Sequence, residues 1–176
     1  MARPLEPEKR QRHLEGAVDY VLRHGLAGLS LRPLAEALAT SPRLLLYHFG
    51  SKEALVAAAL DAARARMILQ LDLGTSRGSF SAWWQELSRP EIQPYWRLIL
   101  EVYALGLQGE GVYADMLRRA IADWITALPV VDQDVATLMV AVVGGLLLDL
   151  MGTGDRARVD GAAARFDQLI SKKERP

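Results

Sequence analysis

Four side chains in one short stretch, Arg43, Leu44, Tyr47 and His48, combine donors suited to a polyanion with one apolar contact. A guanidinium presents two parallel donors that match a phosphate or the N7 and O6 acceptors of a guanine edge. A phenol and an imidazole donate to phosphate oxygens, and a leucine meets a thymine methyl. The set has meaning only if one element presents all four. A helix does so. Pro42, Leu45, Leu46 and Phe49 fall at i, i+3, i+4 and i+7 and share an inward side, which leaves Arg43, Leu44, Tyr47 and His48 outward.

The neighbouring residues fix where that helix begins and what surrounds it. Ser41 is an N-cap with Pro42 at the first helical position, where a missing N–H costs nothing. Ser30 is the cap expected for a preceding helix, Leu31–Ala39, with Pro33 in its first turn and Leu31, Leu34, Ala35 and Leu38 inward. Before it, Pro7–His24 carries an apolar stripe of Leu14, Ala17, Val18, Val21 and Leu22, and Gly25 and Gly28 end the helix. Ser51 caps a fourth helix, Ser51–Leu71, with Glu53 near its positive end. Ser30, Arg32, Ser41 and Lys52 stand near these helix starts, where backbone N–H groups and dipoles favour phosphate.

Beyond this unit, Gly74–Ser81 reads as a loop or boundary. Helices are expected at Phe80–Ser88, Pro90–Gln108, Gly111–Leu128, Asp132–Met151 and Asp155–Ser171, with Lys172–Pro176 a frayed tail. Strand signals are scarce, so the fold class is all-α.

Bulk composition narrows the function. Hydrophobic residues make 51% of the chain and charged residues 24%, so it buries a core rather than remaining disordered. The net charge is zero, but residues 1–66 hold 10 Lys and Arg against 7 Asp and Glu, and residues 67–176 hold 11 against 14. A basic head on an acidic body fits a head that binds nucleic acid. Met1–Arg12 lacks the apolar core of a signal peptide. The longest uncharged apolar run, Val135–Leu148, falls short of the ~20 residues a span requires, so no membrane is expected and the chain is read as cytoplasmic.

Catalysis finds no parts. There is no cysteine, and the three histidines, His13, His24 and His48, all lie in the head, so thiolate chemistry and a histidine site in the body are excluded. No glycine-rich phosphate loop occurs, Asp115, Asp123 and Asp149 lack partners at catalytic spacing, and no cofactor or metal is called for. Asp149, set between two leucines, is expected to face solvent or an arginine of a dimer partner. A helical adaptor or scaffold that binds protein rather than DNA is the alternative to a regulator.

The run Tyr47-His48-Phe49-Gly50-Ser51-Lys52-Glu53-Ala54-Leu55 closes the helical unit. With about Arg10–Leu60 around it, it resembles the DNA-binding domain of the TetR family of bacterial transcriptional regulators. Two positions depart from the family pattern. Ala39 follows the second helix where a small residue or Gly is common, and Leu46 stands where a phosphate-binding Tyr is common. The resemblance implies a three-helix helix-turn-helix domain, here 1–52, and a helical effector-binding and dimerisation domain, here 53–176. It also implies a homodimer on double-stranded, palindromic DNA, most often a repressor released by a small apolar or aromatic effector.

The body has residues for both remaining tasks. Trp83, Trp84, Tyr95, Trp96, Tyr103, Tyr113 and Trp124 crowd into residues 80–125. Trp83, Trp84, Trp96, Tyr103, Met116 and Trp124 can line an effector cavity, with Arg97, and beside it Glu101 or Gln108, to orient the ligand. Asp132–Met151 is apolar nearly all round, which requires burial on several sides, and Gly144-Gly145 permits close approach of another helix. Val135, Met139, Val142, Leu146 and Leu150, with Phe166 from the next helix, are the expected dimer surface of a four-helix bundle. Effector and DNA would then compete through the shape each prefers, with the fourth helix as lever.

Overall fold

The computed structural model describes residues 7–71, 79–109, 111–127 and 132–173. All regular structure among them is helical: α1 (Pro7–His24), α2 (Leu31–Ala37), α3 (Pro42–Phe49), α4 (Lys52–Gln70), α5 (Phe80–Leu87), α6 (Gln93–Leu107), α7 (Gly111–Ala127), α8 (Gln133–Thr153) and α9 (Arg156–Lys173). The chain forms two compact units, one of Met1–Leu69 with Pro94–Asp115, the other of Gln70–Gln93 with Met116–Pro176.

The first unit is built on the stripe of α1. Ala17, Val18 and Val21 are buried, and Gly25 and Gly28 end the helix at φ +73° each. Leu34 and Ala35 of α2, Leu45 and Phe49 of α3, and Leu55, Val56, Ala59, Leu60, Ala63 and Met67 of α4 complete the core. An ion pair at 2.5 Å joins Arg66 of α4 to Asp19 of α1. Helix α6 closes the unit at the end of α1. Arg97 Nη2 donates to the Leu22 carbonyl at 2.8 Å, and the Leu26 N–H donates to the Glu101 carboxylate. Gly25 is doubly constrained: beyond its left-handed backbone, a Cβ there would stand 2.5 Å from Glu101 Oε1.

The expected helix Pro90–Gln108 divides into a 3₁₀ turn, Pro90–Ile92, followed by α6. Pro94 has no N–H to bond back across that junction.

In the second unit α9 packs along α5 and α8. Asp167 of α9 accepts from the Phe80 N–H at 3.0 Å and the Ser79 hydroxyl at 2.8 Å, satisfying the first turn of α5. Burial opposes its ionisation, but bonds from Ser79, Ser81 and the Phe80 backbone outweigh that and hold its pKa low. Asp132 caps α8 through the N–H groups of Asp134 and Val135, and Gly154, at φ +69°, ends it. Helix α9 runs through Lys173, so Lys172 and Lys173 are helical rather than part of a frayed tail; residues 174–176 and the loop residues 74–78 lie outside the described residues.

Helix α8 corrects the reading of its own length. It continues past Leu148 to Thr153, and its 21 residues, with a stretch of 18 at a mean hydropathy of 2.1, are long and apolar enough to cross a membrane. Its buried positions, Ala136, Met139, Val143, Leu147 and Leu150, recur at helical spacing on one side only. That is the pattern of a helix seated in a core by one face.

Helix α2 ends two residues before the expected Ala39. The Ala39 N–H donates to the Glu36 carbonyl at 3.1 Å and the Thr40 N–H to the Ala35 carbonyl at 2.9 Å. This paired closure requires a left-handed residue, normally glycine. Ala39 adopts it at φ +49°, alone among the described non-glycine residues, and is exposed. The strain of about 1–2 kcal/mol carried by a Cβ there exceeds the added unfolded-state freedom of glycine, about 0.4–1 kcal/mol. Ala39→Gly is therefore expected to stabilise the protein by up to about 1 kcal/mol in urea unfolding; a destabilised variant would refute the strain assignment.

Candidate nucleic-acid interface

Helix α3 is eight residues long, and its ends are fixed by side chain and turn rather than by length. Ser41, extended at φ −116° and ψ 151°, accepts from the Leu44 N–H at 3.2 Å, Pro42 takes the first position, and Gly50 at φ +85° stops the helix. Ser51 then caps α4 by accepting from the Ala54 N–H at 3.0 Å. Glu53 in the first turn of α4 has its pKa lowered by bonds to its own backbone and to Ser51. Ser30 is extended too, but its hydroxyl makes no cap bond, which corrects that part of the expectation and leaves the exposed hydroxyl open.

The division of α3 into two faces holds in outline and shifts at two positions. Leu45 is fully enclosed, and Phe49 is buried with the Arg10 guanidinium 4.8 Å above its ring centroid. Arg43, Leu44 and Tyr47 are exposed, as expected. His48 is not: its ring is 8% exposed and lies 5.2 Å from that of His13 on α1. Leu46, assigned inward, is exposed instead, as is Pro42. At about 100° per residue, position 48 lies on the same side as 45 and 49, and position 46 on the far flank. His48 is thus corrected from the outer strip to the support beneath it, where Arg10 Nε donates to its carbonyl at 3.3 Å.

The remaining nucleic-acid candidates lie in the same unit. Arg32 is exposed on the first turn of α2. Ser41 uses an oxygen lone pair for its cap and keeps its proton to donate. Lys52, half-buried at the start of α4, lines a cleft of about 250 Å³ with Glu53, Val56, Gly111, Val112 and Tyr113. These groups stand at the starts of α2, α3 and α4, and on the outward strip of α3 only Arg43 is charged.

The expected effector residues divide between the units. Trp96, Arg97 and Tyr103 belong to the first; Trp83, Trp84, Met116 and Trp124 belong to the second. Two are corrections. Trp84 is completely enclosed and its indole N–H donates to Asp160 at 2.6 Å, so it is a core residue. Arg97 holds the end of α1, as does its expected companion Glu101. Trp83 and Trp96 are buried, whereas Tyr103, Met116 and Trp124 are half-exposed. Burial raises the pKa of the Tyr103 phenol.

The expected dimer residues also sort by burial. Met139 and Leu150 are enclosed within this chain, which corrects their assignment to an outer surface. Val135, Val142 and Leu146 are half-buried, and Phe166 sits edge-on to Phe80 at 4.7 Å. Leu138 and Leu148 are 55% and 58% exposed on the opposite side of α8. Gly144 and Gly145 have open space where a Cβ would point. Asp149 accepts from Arg158 of its own chain at 2.5 and 2.7 Å, so it needs no partner's arginine.

Comparison with known proteins places this geometry. Residues 14–59, which span α2 and α3, match the family described as bacterial regulatory proteins, tetR family. This stretch is thus similar to the N-terminal domain of that family. Solved structures extend the likeness to the rest of the fold. A TetR-family transcriptional regulator from Cytophaga hutchinsonii, 19% identical, is covered over 98% of both chains with a TM-score of 0.75. A putative TetR-family regulator from Rhodococcus sp. is 24% identical over 92% of this chain and 99% of its own, with a TM-score of 0.67. The multidrug binding protein EbrR, solved with imidazole, is 22% identical over 94% and 93% of the two chains, with a TM-score of 0.68. At these identities the likeness establishes the fold, that of TetR transcriptional regulators. No curated protein matches the sequence.

His13 gives the first unit an expected sensitivity to acid. Burial first, then the charges of His48, Arg12 and Lys9, lower the pKa of His13. The Nδ1 of His13 and both ring nitrogens of His48 are buried without a hydrogen-bond partner. The unfolded chain, with His13 titrating near about pH 6.5, binds more protons than the folded one below that pH. The contribution of neutral His13 is present in full above that value and is lost as pH falls toward the lowered folded pKa. Thermal unfolding between pH 7 and pH 5 should show a smaller loss of stability in His13→Gln than in the parent; equal slopes would remove His13 from the account.

Proposed function

We propose that this chain is a cytoplasmic, DNA-binding transcriptional regulator that acts as a homodimer, a repressor released from a palindromic operator by a small apolar or aromatic effector. The observation that carries this reading is the exposed strip of α3, with Arg43 and Tyr47 outward over an enclosed Leu45, inside a domain that matches the TetR family. A helix held by one face and polar on the other suits entry into a major groove. Arg43 then reads a guanine edge, while Ser30, Arg32, Ser41, Tyr47 and Lys52 meet phosphates.

The dimer is supported by α8. A strongly apolar helix with one face in its own core leaves Leu138, Leu148 and the open backbone of Gly144 and Gly145 uncovered. A second copy of the same face, with α9, would cover it symmetrically. Two heads set about 34–36 Å apart would each meet a half-site. The half-exposed aromatic and thioether groups of Tyr103, Met116 and Trp124 support an apolar effector, as does the likeness to EbrR. An effector relieves repression only as far as it prefers the shape that DNA does not.

Selection of bound duplexes from random DNA tests the reading directly. A palindromic consensus is expected, and no enriched sequence would defeat it. Arg43→Ala should weaken binding to the selected duplex by about 1–3 kcal/mol with an unchanged circular dichroism spectrum; undiminished affinity would dismiss the reading strip. Leu138→Glu should convert a dimer to a monomer in sedimentation, and a persistent dimer would move the interface away from α8.

A further inference from the structure

The exposed strip of α3 is less polar than a surface helix requires. Its outward residues are Pro42, Arg43, Leu44, Leu46 and Tyr47, and only Arg43 is charged. Leu44 is 37% exposed and Leu46 is 38% exposed, so three of the large exposed hydrophobic side chains among the described residues, with Tyr47, fall within four consecutive positions. Scattered exposed leucines need no explanation, but a cluster of this kind on one short helix does.

Helical geometry separates the two leucines. At about 100° per residue, Arg43 and Tyr47 occupy the middle of the strip, Leu46 one flank and Leu44 the other. In a major groove this arrangement sets the guanidinium toward the base edges and a leucine toward each side. A leucine has neither donor nor acceptor, so contact with N7, O6, O4 or an amino group leaves that base atom unpaired. The apolar group that the major groove offers is the C5 methyl of thymine.

Resting on the DNA-binding reading above, we infer that Leu44 and Leu46 determine sequence preference by each packing on a thymine methyl, one on either side of the base pair that Arg43 engages. The half-site is then a guanine flanked by thymine methyls, and its recognition is apolar at the edges and polar at the centre. Leu46 is the new element, because the sequence pattern had placed it in the core.

Deoxyuridine tests this, since it pairs as thymine does and lacks only the methyl. The full-length protein is titrated with the duplex selected from random DNA and with copies carrying one thymine-to-deoxyuridine change each. Two positions per half-site should lose roughly 3- to 10-fold in affinity, the scale of one buried methyl. Leu44→Ala should abolish the sensitivity at one of them and Leu46→Ala at the other, with the guanine preference retained in both. Equal affinity for every deoxyuridine duplex, or a consensus without thymine, overturns the inference while DNA binding stands. Failure to enrich any duplex overturns the regulator reading and this inference with it. If an alanine variant is unfolded, the deoxyuridine series on the parent protein still decides.

Discussion

An eight-residue helix is not stable in isolation, because its few internal bonds do not offset the cost of nucleation. Helix α3 exists because Leu45 is fully enclosed, with His48 and Phe49 buried beside it, and because Ser41 and Gly50 satisfy its ends. That anchoring fixes the rotation of α3 about its axis, and the rotation decides which side chains face outward. Turning the helix by one position would bury Arg43's neighbours and expose the core. The rest of the first unit holds this one orientation. Helix α1 supplies the floor through Ala17, Val18 and Val21, and Arg10 ties the end of α3 to it through both the His48 carbonyl and the Phe49 ring.

Much of this was legible in the sequence where the signal was local. Caps and breakers at Ser41, Pro42, Gly50, Ser51 and Asp132 act on their own turn, and they marked helix starts within a residue or so of where they fall. The resemblance of the head to the TetR family rested on the same residues. The rotation of α3 was less legible. Two turns give a periodic pattern few points to fit, and a hydrophobic Leu46 with a polar His48 biased the fit toward the wrong flank. Burial of an imidazole with no partner for either nitrogen is costly, so a polarity pattern gives no warning of it.

Long-range pairings were not legible at all. Arg97 and Glu101 are two polar residues in an aromatic-rich stretch, and composition alone placed them beside a ligand. Their partners are the Leu22 carbonyl and the Leu26 N–H, 75 positions away in each case. Only the positive φ of Gly25 hints that something approaches closely there. Trp84 shows the same limit. An indole N–H in an apolar stretch looks free to meet a ligand until Asp160, 76 positions on, is found accepting it. Contacts that cross such distances are set by packing, and a single sequence records the residues without the pairing.

The sparse charge of α3 bears on why two copies would be needed. A lone head offers Arg43 on the reading helix and Arg32 and Lys52 near its neighbours' starts, few cations for a phosphate backbone whose binding strength grows with each neutralised charge. The zero net charge of the whole chain adds no general attraction to DNA. Affinity on this reading must then come from pairing, in which the second head binds at the high effective concentration set by the first. The uncovered face of α8 and the thinly charged face of α3 thus become two parts of one requirement. On the proposed reading, a weak, selective reader would gain strength when its body joined it to a twin, and a change in the spacing of that pair would release both.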